Sequence, residues 1–173
     1  RRKFPITILF KAFGYTNEDI LSFFYKRERI FRKDGALFKE FNADNLKRNR
    51  ASFDVLDPET GDVVVKKGRL FTIRALKQLQ AAGLKHIPIS EDDIIGKGFA
   101  STVINAETPE IIAKAGALID GEVIEAIEAA GIDEFSILYV DTYSSDSIRK
   151  TLAVDKVISR SEALIEIYRR LRP

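Results

Sequence analysis

An internal duplication at an offset of 48 residues constrains the fold of this chain more than any other feature. The stretch VVVKKGRLFTIRALKQLQAAGLKHIPI, residues 63–89, is echoed by IIAKAGALIDGEVIEAIEAAGIDEFSI, residues 111–137. With neighbouring matches such as Thr60 and Thr108, the repeat covers 60–89 and 108–137. Each copy is predicted to form a short strand, a Lys-x-Gly turn, an amphipathic helix ended by glycine, and a second strand. We interpret the duplication as a packing scaffold, because neither copy contains a recognisable catalytic set.

Four glycines recur at equivalent places and are predicted to be structural. Gly68 and Gly116 follow the lysine of each turn, and Gly83 and Gly131 follow each helix. A phosphate-binding loop is the competing interpretation, but its further glycines and the Ser or Thr directly after the lysine are missing. Glycine at these places is typical of a chain that must turn sharply.

Other candidates for chemistry are weak. The chain has no cysteine, which excludes disulfides and thiolate sites, and its single histidine, His86, excludes a histidine-based metal cluster. The acidic run 91–93 lacks the ligand spacing of a calcium loop and is interpreted as a helix-capping cluster. A hydrolase triad built on the serines of 144–147 would need His86 from a distant part of the chain, so we do not favour one.

Composition is that of a soluble globular protein, with 45% hydrophobic and 31% charged residues. No apolar run approaches the ~20 residues of a membrane span. The net charge of +2 is unevenly distributed: residues 1–50 carry +7, residues 51–142 carry −8 and residues 143–173 carry +3. Nucleic acid is therefore an improbable partner for the middle and a possible one for the flanks, the simpler interpretation being ordinary surface solvation.

Outside the repeat, helices and strands are both predicted, so the expected class is α+β. A helix should begin near Pro5 and end at Gly14, and a second should follow a Thr16 cap and carry Ile20, Leu21, Phe23 and Phe24. A hairpin is expected around Asp34-Gly35, with one face on the core, although its interleaved basic and Phe residues would also suit nucleic acid. The polar stretch 143–152 carries no predicted element. A last amphipathic helix should open at Ser159 or Ser161.

Four segments resemble the lobe of the β subunit of bacterial RNA polymerase. They are RRKFPITILFKAFGYT (1–16), ASFD (51–54), SIRKTLAVD (147–155) and ALIEIYRRLRP (163–173). The resemblance covers essentially the whole chain. It implies a split helical lobe formed by residues 1–24 and 143–173, interrupted by a lineage-specific insertion, residues 25–142, that contains the duplication as a small mixed α/β unit. The chain also lacks methionine, and we expect it to be a piece of something longer.

The resemblance also carries expectations about function. The parent enzyme would synthesise RNA on a DNA template in the cytoplasm, with Mg²⁺ held by the β′ subunit, so this chain is expected to hold no catalytic residue and no cofactor. Its partners would be the β′, α, ω and σ subunits. The lobe would line the downstream DNA, with Arg172 contacting the non-template strand. The insertion would be a docking surface for secondary-channel regulators of the DksA type or for phage proteins.

Two other hypotheses remain open at this point. The chain could be a free-standing acidic module, without enzymatic role, that binds a basic protein through the repeat. Alternatively, the basic flanks alone could bind nucleic acid, which would make the affinity fall steeply with salt.

Overall fold

The computed structural model describes residues 3–140 and 145–172, and it confirms the predicted α+β class. The helices are α1 (Ile6–Ala12), α2 (Asn17–Phe24), α3 (Ala43–Leu46), α4 (Ile73–Ala81), α5 (Gly121–Ala129), α6 (Ser147–Val154) and α7 (Arg160–Leu171), with one 3-10 turn at Glu91–Asp93. The strands are β1 (Lys26–Lys33), β2 (Ala36–Glu40), β3 (Val55–Leu56), β4 (Val63–Val65), β5 (His86–Ile89), β6 (Val103–Ile104), β7 (Ile111–Ala113) and β8 (Glu134–Tyr139).

The β1–β2 hairpin is the centre of a four-stranded antiparallel sheet with the order β5-β2-β1-β8. Its Asp34-Gly35 turn is the predicted one, and both residues have positive φ. The two copies of the duplication attach to opposite edges of the hairpin through equivalent strands, β5 and β8. The registers also correspond, because Leu37 pairs with Ile89 on one side and Glu28 pairs with Ile137 on the other. An approximate two-fold axis therefore passes through the hairpin and relates the two copies.

The duplicated unit is longer than the sequence pattern indicated. Each copy begins with one helical turn, capped by Asn42 in α3 and by Ser90 in the 3-10 turn. A left-handed residue follows in both copies, Arg48 with φ 67° and Gly96 with φ 78°. We therefore define repeat one as residues 42–89 and repeat two as residues 90–137.

Backbone hydrogen bonds recur at the same offset throughout the two repeats. The Gly68 N–H donates to Ala51 O, and the Gly116 N–H donates to Phe99 O, both at about the same length (2.7 and 2.8 Å). Each repeat also contains a two-stranded ladder, β3 with β4 and β6 with β7. Each main helix is capped by a side chain, Thr72 for α4 and Asp120 for α5. One continuous hydrophobic core joins both repeats and the hairpin.

The remaining helices, α1, α2, α6 and α7, come from the two ends of the chain and pack together. The residue pattern did not predict α6, because the stretch 143–152 is rich in serine and other polar residues; within α6 only Arg149 and Leu152 are buried. On α2, Ile20 and Leu21 are buried, whereas Phe23 and Phe24 are 63% and 45% exposed. Among the helices within residues 3–140 and 145–172, none has the length and apolar composition of a membrane span.

Candidate interaction surfaces

Arg149 joins the terminal helices to repeat two. Its guanidinium makes two 2.6 Å hydrogen bonds to the carboxylate of Asp146 and donates to Gly116 O at 3.4 Å. The hydrogen bonds and charge of Asp146 raise the pKa of the guanidinium above its usual value, so it stays cationic. The Tyr25 hydroxyl accepts from the Arg149 N–H at 3.3 Å and donates to Ser145 O at 2.9 Å. These contacts fix repeat two against α6.

Helix α2 lies on the same face of repeat two. Glu18, in its first turn, accepts a 2.7 Å hydrogen bond from the Thr102 N–H. Ile20 and Leu21 are fully buried in a small core that also contains Ala100 and Ala115 from repeat two and Leu138, the residue directly after it. Small residues in the repeat allow this close approach, and we call this surface the α2 seat. It is defined by Ala100, Thr102, Ala115, Gly116 and Leu138.

The equivalent surface of repeat one has a different character. At the offset of 48 residues, the α2 seat corresponds to Ser52, Asp54, Lys67 and Gly68 of repeat one and to Ser90, the residue directly after it. We call this set, together with Phe53, the open face. Ala115 and Gly116 are buried, whereas Lys67 and Gly68 are exposed. Apolar positions of the seat thus correspond to polar residues on the open face, which no helix within residues 3–140 and 145–172 covers.

The two repeats also differ in charge. Repeat one has nine Lys and Arg against five Asp and Glu, a net charge of +4, whereas repeat two has two against eleven, a net charge of −9. On the outer surfaces of α4 and α5, exposed Arg74 and Lys77 correspond to exposed Glu122 and Glu125. The sequence pattern of an acidic middle was therefore too coarse, because the acidity belongs to repeat two alone.

A buried ion pair holds the two ends of the chain together. Asp155, which precedes α7, accepts hydrogen bonds from the Thr7 hydroxyl at 2.6 Å and from Lys11 Nζ at 2.9 Å. The Asp155 side chain is fully buried and that of Lys11 is 6% exposed. Burial acts to raise the pKa of this carboxyl, but the hydrogen bonds from Thr7, Lys11 and the Val157 N–H outweigh it and lower the pKa. Asp155 is therefore ionised at neutral pH.

A second buried charge cluster lies beside the centre of the hairpin. Glu28 and Lys39 are 7% and 8% exposed, and Lys39 Nζ lies 3.5 Å from Glu28 Oε1. Asn45 donates to the same oxygen at 3.2 Å, and Lys97 Nζ lies 3.9 Å from Oε2. Glu28 Oε2 has no hydrogen-bond partner in the described part of the chain. The two-fold relation matches Glu28 with Leu37 and Lys39 with Ile30. Glu28 and Lys39 are therefore charged where their two-fold mates are apolar, and the sheet departs from its symmetry at these two positions.

The residues predicted to matter occupy separate places. Arg172 is exposed at the end of α7, with its guanidinium carbon 5.9 Å from the centre of the Tyr168 ring. The four glycines have positive φ: Gly68 77°, Gly116 84°, Gly83 71° and Gly131 64°. Their structural role is consistent with this backbone, which favours glycine. Arg172 and these glycines do not share a site.

The weaker candidates have structural explanations. His86 is exposed, and its ring lies roughly perpendicular to the Phe31 ring, with 4.6 Å between ring centres. Asp93, from the acidic run, accepts hydrogen bonds from Ser52 and Ser90 and forms a capping box, as predicted. Among residues 3–140 and 145–172, no group of three or more His, Asp or Glu side chains is arranged to hold a metal ion. Arg1, the boundary at 142 and 143, and part of the serine run, including Ser144, lie outside the described residues.

Sequence reasoning did not identify Arg149 or Asp155. Their partners Tyr25 and Thr7 lie 124 and 148 positions away in the chain, so no local pattern marks the contacts. The one local signal was the Asp146-x-x-Arg149 spacing, which places an acid and a base on adjacent turns of a helix.

Comparison with known proteins gives consistent relatives over the full chain. The DNA-directed RNA polymerase subunit beta of Desulforapulum autotrophicum is 82% identical over 173 residues, all of this chain. The proteins of the same name from Citrifermentans bemidjiense and Desulfosudis oleivorans are 51% and 48% identical over all of it. The chain spans only 12–13% of the length of these relatives. No protein-family model matches the chain.

Proposed function

The chain belongs to the family of the DNA-directed RNA polymerase subunit beta, and we propose that it is a non-catalytic part of that subunit. The 82% identity over the whole chain carries this proposal. The parent enzyme would transcribe DNA into RNA in the cytoplasm, together with β′, α, ω and σ subunits. Its catalytic Mg²⁺ would be held by another subunit, so the role of this chain is to bind and position.

We assign residues 1–24 and 143–173 to the lobe and residues 25–142 to an insertion. The geometry of the junction supports this division, because Lys26 and Tyr139 are paired neighbours on β1 and β8. The chain therefore leaves the terminal helices and returns to them at adjacent points. The buried Lys11–Asp155 pair also supports it, since it joins helices from both ends of the chain.

In this proposal the lobe helices lie along downstream DNA, and Arg172 contacts the non-template strand. Its exposure at the end of α7, next to exposed Arg169, suits a phosphate or a base. Replacing Arg172 with alanine in the assembled polymerase should weaken promoter-complex stability and reduce the salt slope of DNA binding by about one. Lys150→Ala, on the exposed surface of α6, is the matched control. An unchanged salt slope for Arg172→Ala would refute the contact.

The insertion would serve as a docking surface for regulators of the DksA type or for phage proteins. The opposite charges of the two repeats support a role in binding proteins, because they can select partners by charge. The test is a polymerase whose β subunit has residues 26–139 replaced by a short Gly-Ser linker. RNA synthesis on a naked template should persist, whereas the response to a secondary-channel regulator should fall. Loss of RNA synthesis itself, in an assembled enzyme, would contradict the proposal.

A further inference from the structure

Repeat one has an uncovered counterpart of the α2 seat. In repeat two, the Thr102 N–H donates to Glu18 of α2 and Ala115 is buried beneath that helix. The corresponding residues of the open face are Asp54 and Lys67, both exposed. The Asp54 N–H has no hydrogen-bond partner within residues 3–140 and 145–172. The same backbone arrangement is thus present in both repeats, and α2 covers it in repeat two only.

The backbone arrangement itself is preserved in repeat one. The Lys67 N–H donates to the Asp54 carboxylate at 2.7 Å, just as the Ala115 N–H donates to the Thr102 hydroxyl at 3.3 Å. Both repeats also have an arginine at this place. Arg50 Nη1 donates to Gly68 O at 2.8 Å, as Arg149 donates to Gly116 O in repeat two. Repeat one therefore makes with its own residue Arg50 the contact that repeat two receives from Arg149 of α6.

A cavity of about 560 Å³ adjoins the open face through Phe53 and Ser90. Its apolar wall includes Leu37, Phe53, Pro88 and Ile89. The two-fold relation matches Gly35, in the hairpin turn, with Lys26. Beside repeat two the chain reaches Lys26 from α2, whereas beside repeat one the matching position is only a tight turn. A tight turn fills less space than a helix, so the cavity remains open.

The charged side chains around the open face and its cavity indicate which kind of ligand would bind there. Lys67 Nζ lies 5.5 Å from the centre of the Phe53 ring, and Arg50 lies close by on Gly68. Together with the net charge of +4 on repeat one, these side chains favour an acidic partner. Glu91 and Asp92 line the cavity. Their charges repel any anionic group inside the cavity, so the acidic residues of a partner would lie at Lys67 and Arg50 and a neutral or apolar side chain would enter the cavity.

We propose that the open face and its cavity bind an amphipathic helix of a partner protein, with acidic residues in the first turn and aliphatic residues in the next. Helix α2 itself has this pattern, since Glu18 and Asp19 precede Ile20 and Leu21. The inference rests on the proposed role of the insertion as a docking surface, and it names the face and the chemistry of the partner.

The test uses polymerase assembled with the full-length β subunit. The probe is a fluorescein-labelled, lactam-stapled peptide with the sequence of residues 16–25, followed by anisotropy. Saturable binding is expected, and Phe53→Ala or Lys67→Glu should each raise the Kd at least about tenfold, as loss of an anchor residue does. Lys77→Glu, an equal charge change on α4 of the same repeat, is the matched control and should change the Kd less than about twofold.

Each other outcome overturns the proposal. Absence of saturable binding, equal effects of Lys67→Glu and Lys77→Glu, or equal affinity for a peptide with both acids changed to lysine would each do so. If a single-stranded oligonucleotide displaces the peptide and loses affinity in the Lys67→Glu enzyme, the face binds nucleic acid instead. Failure here leaves the docking role intact if deleting residues 26–139 still abolishes the response to a regulator. If that response survives the deletion, the docking role itself fails.

Discussion

The side chain of Arg149 passes directly over Gly98: a β-carbon added at Gly98 would stand 2.7 Å from Cδ of Arg149. Gly98 does not have a positive φ, so its lack of a side chain is required by this passage and not by its backbone conformation. The equivalent residue of repeat one is Arg50, which occupies the space with its own side chain.

The first prediction concerns this contact. Gly98→Ala should destabilise the chain by about 1–3 kcal/mol, because Arg149 is held by Asp146 and Gly116 and cannot easily move aside. Gly121→Ala is the matched control, since nothing lies within 4 Å of a β-carbon there. Urea unfolding of the two variants and the parent chain measures the difference. Equal stability of the two variants would show that Arg149 is not fixed in this position.

The second prediction concerns acid stability. The pKa of Asp155 is lower in the folded chain than its ordinary value of 3.8, so its ionised form favours folding. This contribution is complete above pH ~3.8 and is lost as the pH falls through the lower, folded value. Asp155→Asn should cost about 3–5 kcal/mol at pH 7, because Lys11 stays buried without its charge partner. The variant should also show a smaller loss of stability between about pH 4 and pH 2. Unfolding free energies across this range check both statements, and parallel pH profiles would contradict the second.

The third prediction follows from the broken symmetry of the hairpin. Lys39→Ile alone should destabilise the chain by about 3–5 kcal/mol, because Glu28 remains buried without its nearest cation. Glu28→Leu combined with Lys39→Ile gives both positions the residues of their two-fold mates, Leu37 and Ile30. The double variant should be as stable as the parent chain or more stable by about 1–4 kcal/mol. A double-mutant cycle from thermal or urea unfolding decides, and additive losses would refute the argument.

The fourth prediction uses the equivalence of Arg48 and Gly96. Arg48 has a φ of 67°, a conformation that costs a residue with a β-carbon about 1 kcal/mol. Arg48→Gly should therefore leave stability unchanged or raise it slightly, since the gain is partly offset by a more flexible unfolded chain. Gly96→Arg should lower it by about 1–2 kcal/mol. Melting temperatures of the two variants should shift in different directions or by clearly unequal amounts.

Much of the fold could be predicted because its signals are local. The Thr16 cap, the Asp34-Gly35 turn and the glycines after the turns act within a few residues, and each is found where the pattern indicated. The start of each repeat was missed, because Asn42 and Ser90 share a capping role but not a residue type. The backbone hydrogen bonds, and not the residue types, show that the two positions are equivalent.

The interaction surfaces were harder to predict from the sequence than the fold was. Counting charge over residues 51–142 concealed a basic repeat beside an acidic one, since the limits of the repeats depend on the sheet. Which copy is covered by α2 depends on long-range packing among Leu21, Ala115 and Leu138. A small residue such as Ala115 has no distinctive pattern by itself, so its role becomes visible only beside Lys67 of the other repeat.

The hairpin has two outer edges, and β5 and β8 occupy both of them. A third unit of the same kind would find no free edge to join, so this duplication is a closed pair and not the beginning of an extendable array. Neither unit is complete alone, because each needs the shared hairpin to satisfy the backbone of its last strand. The two repeats should therefore fold and unfold together, as a single cooperative transition.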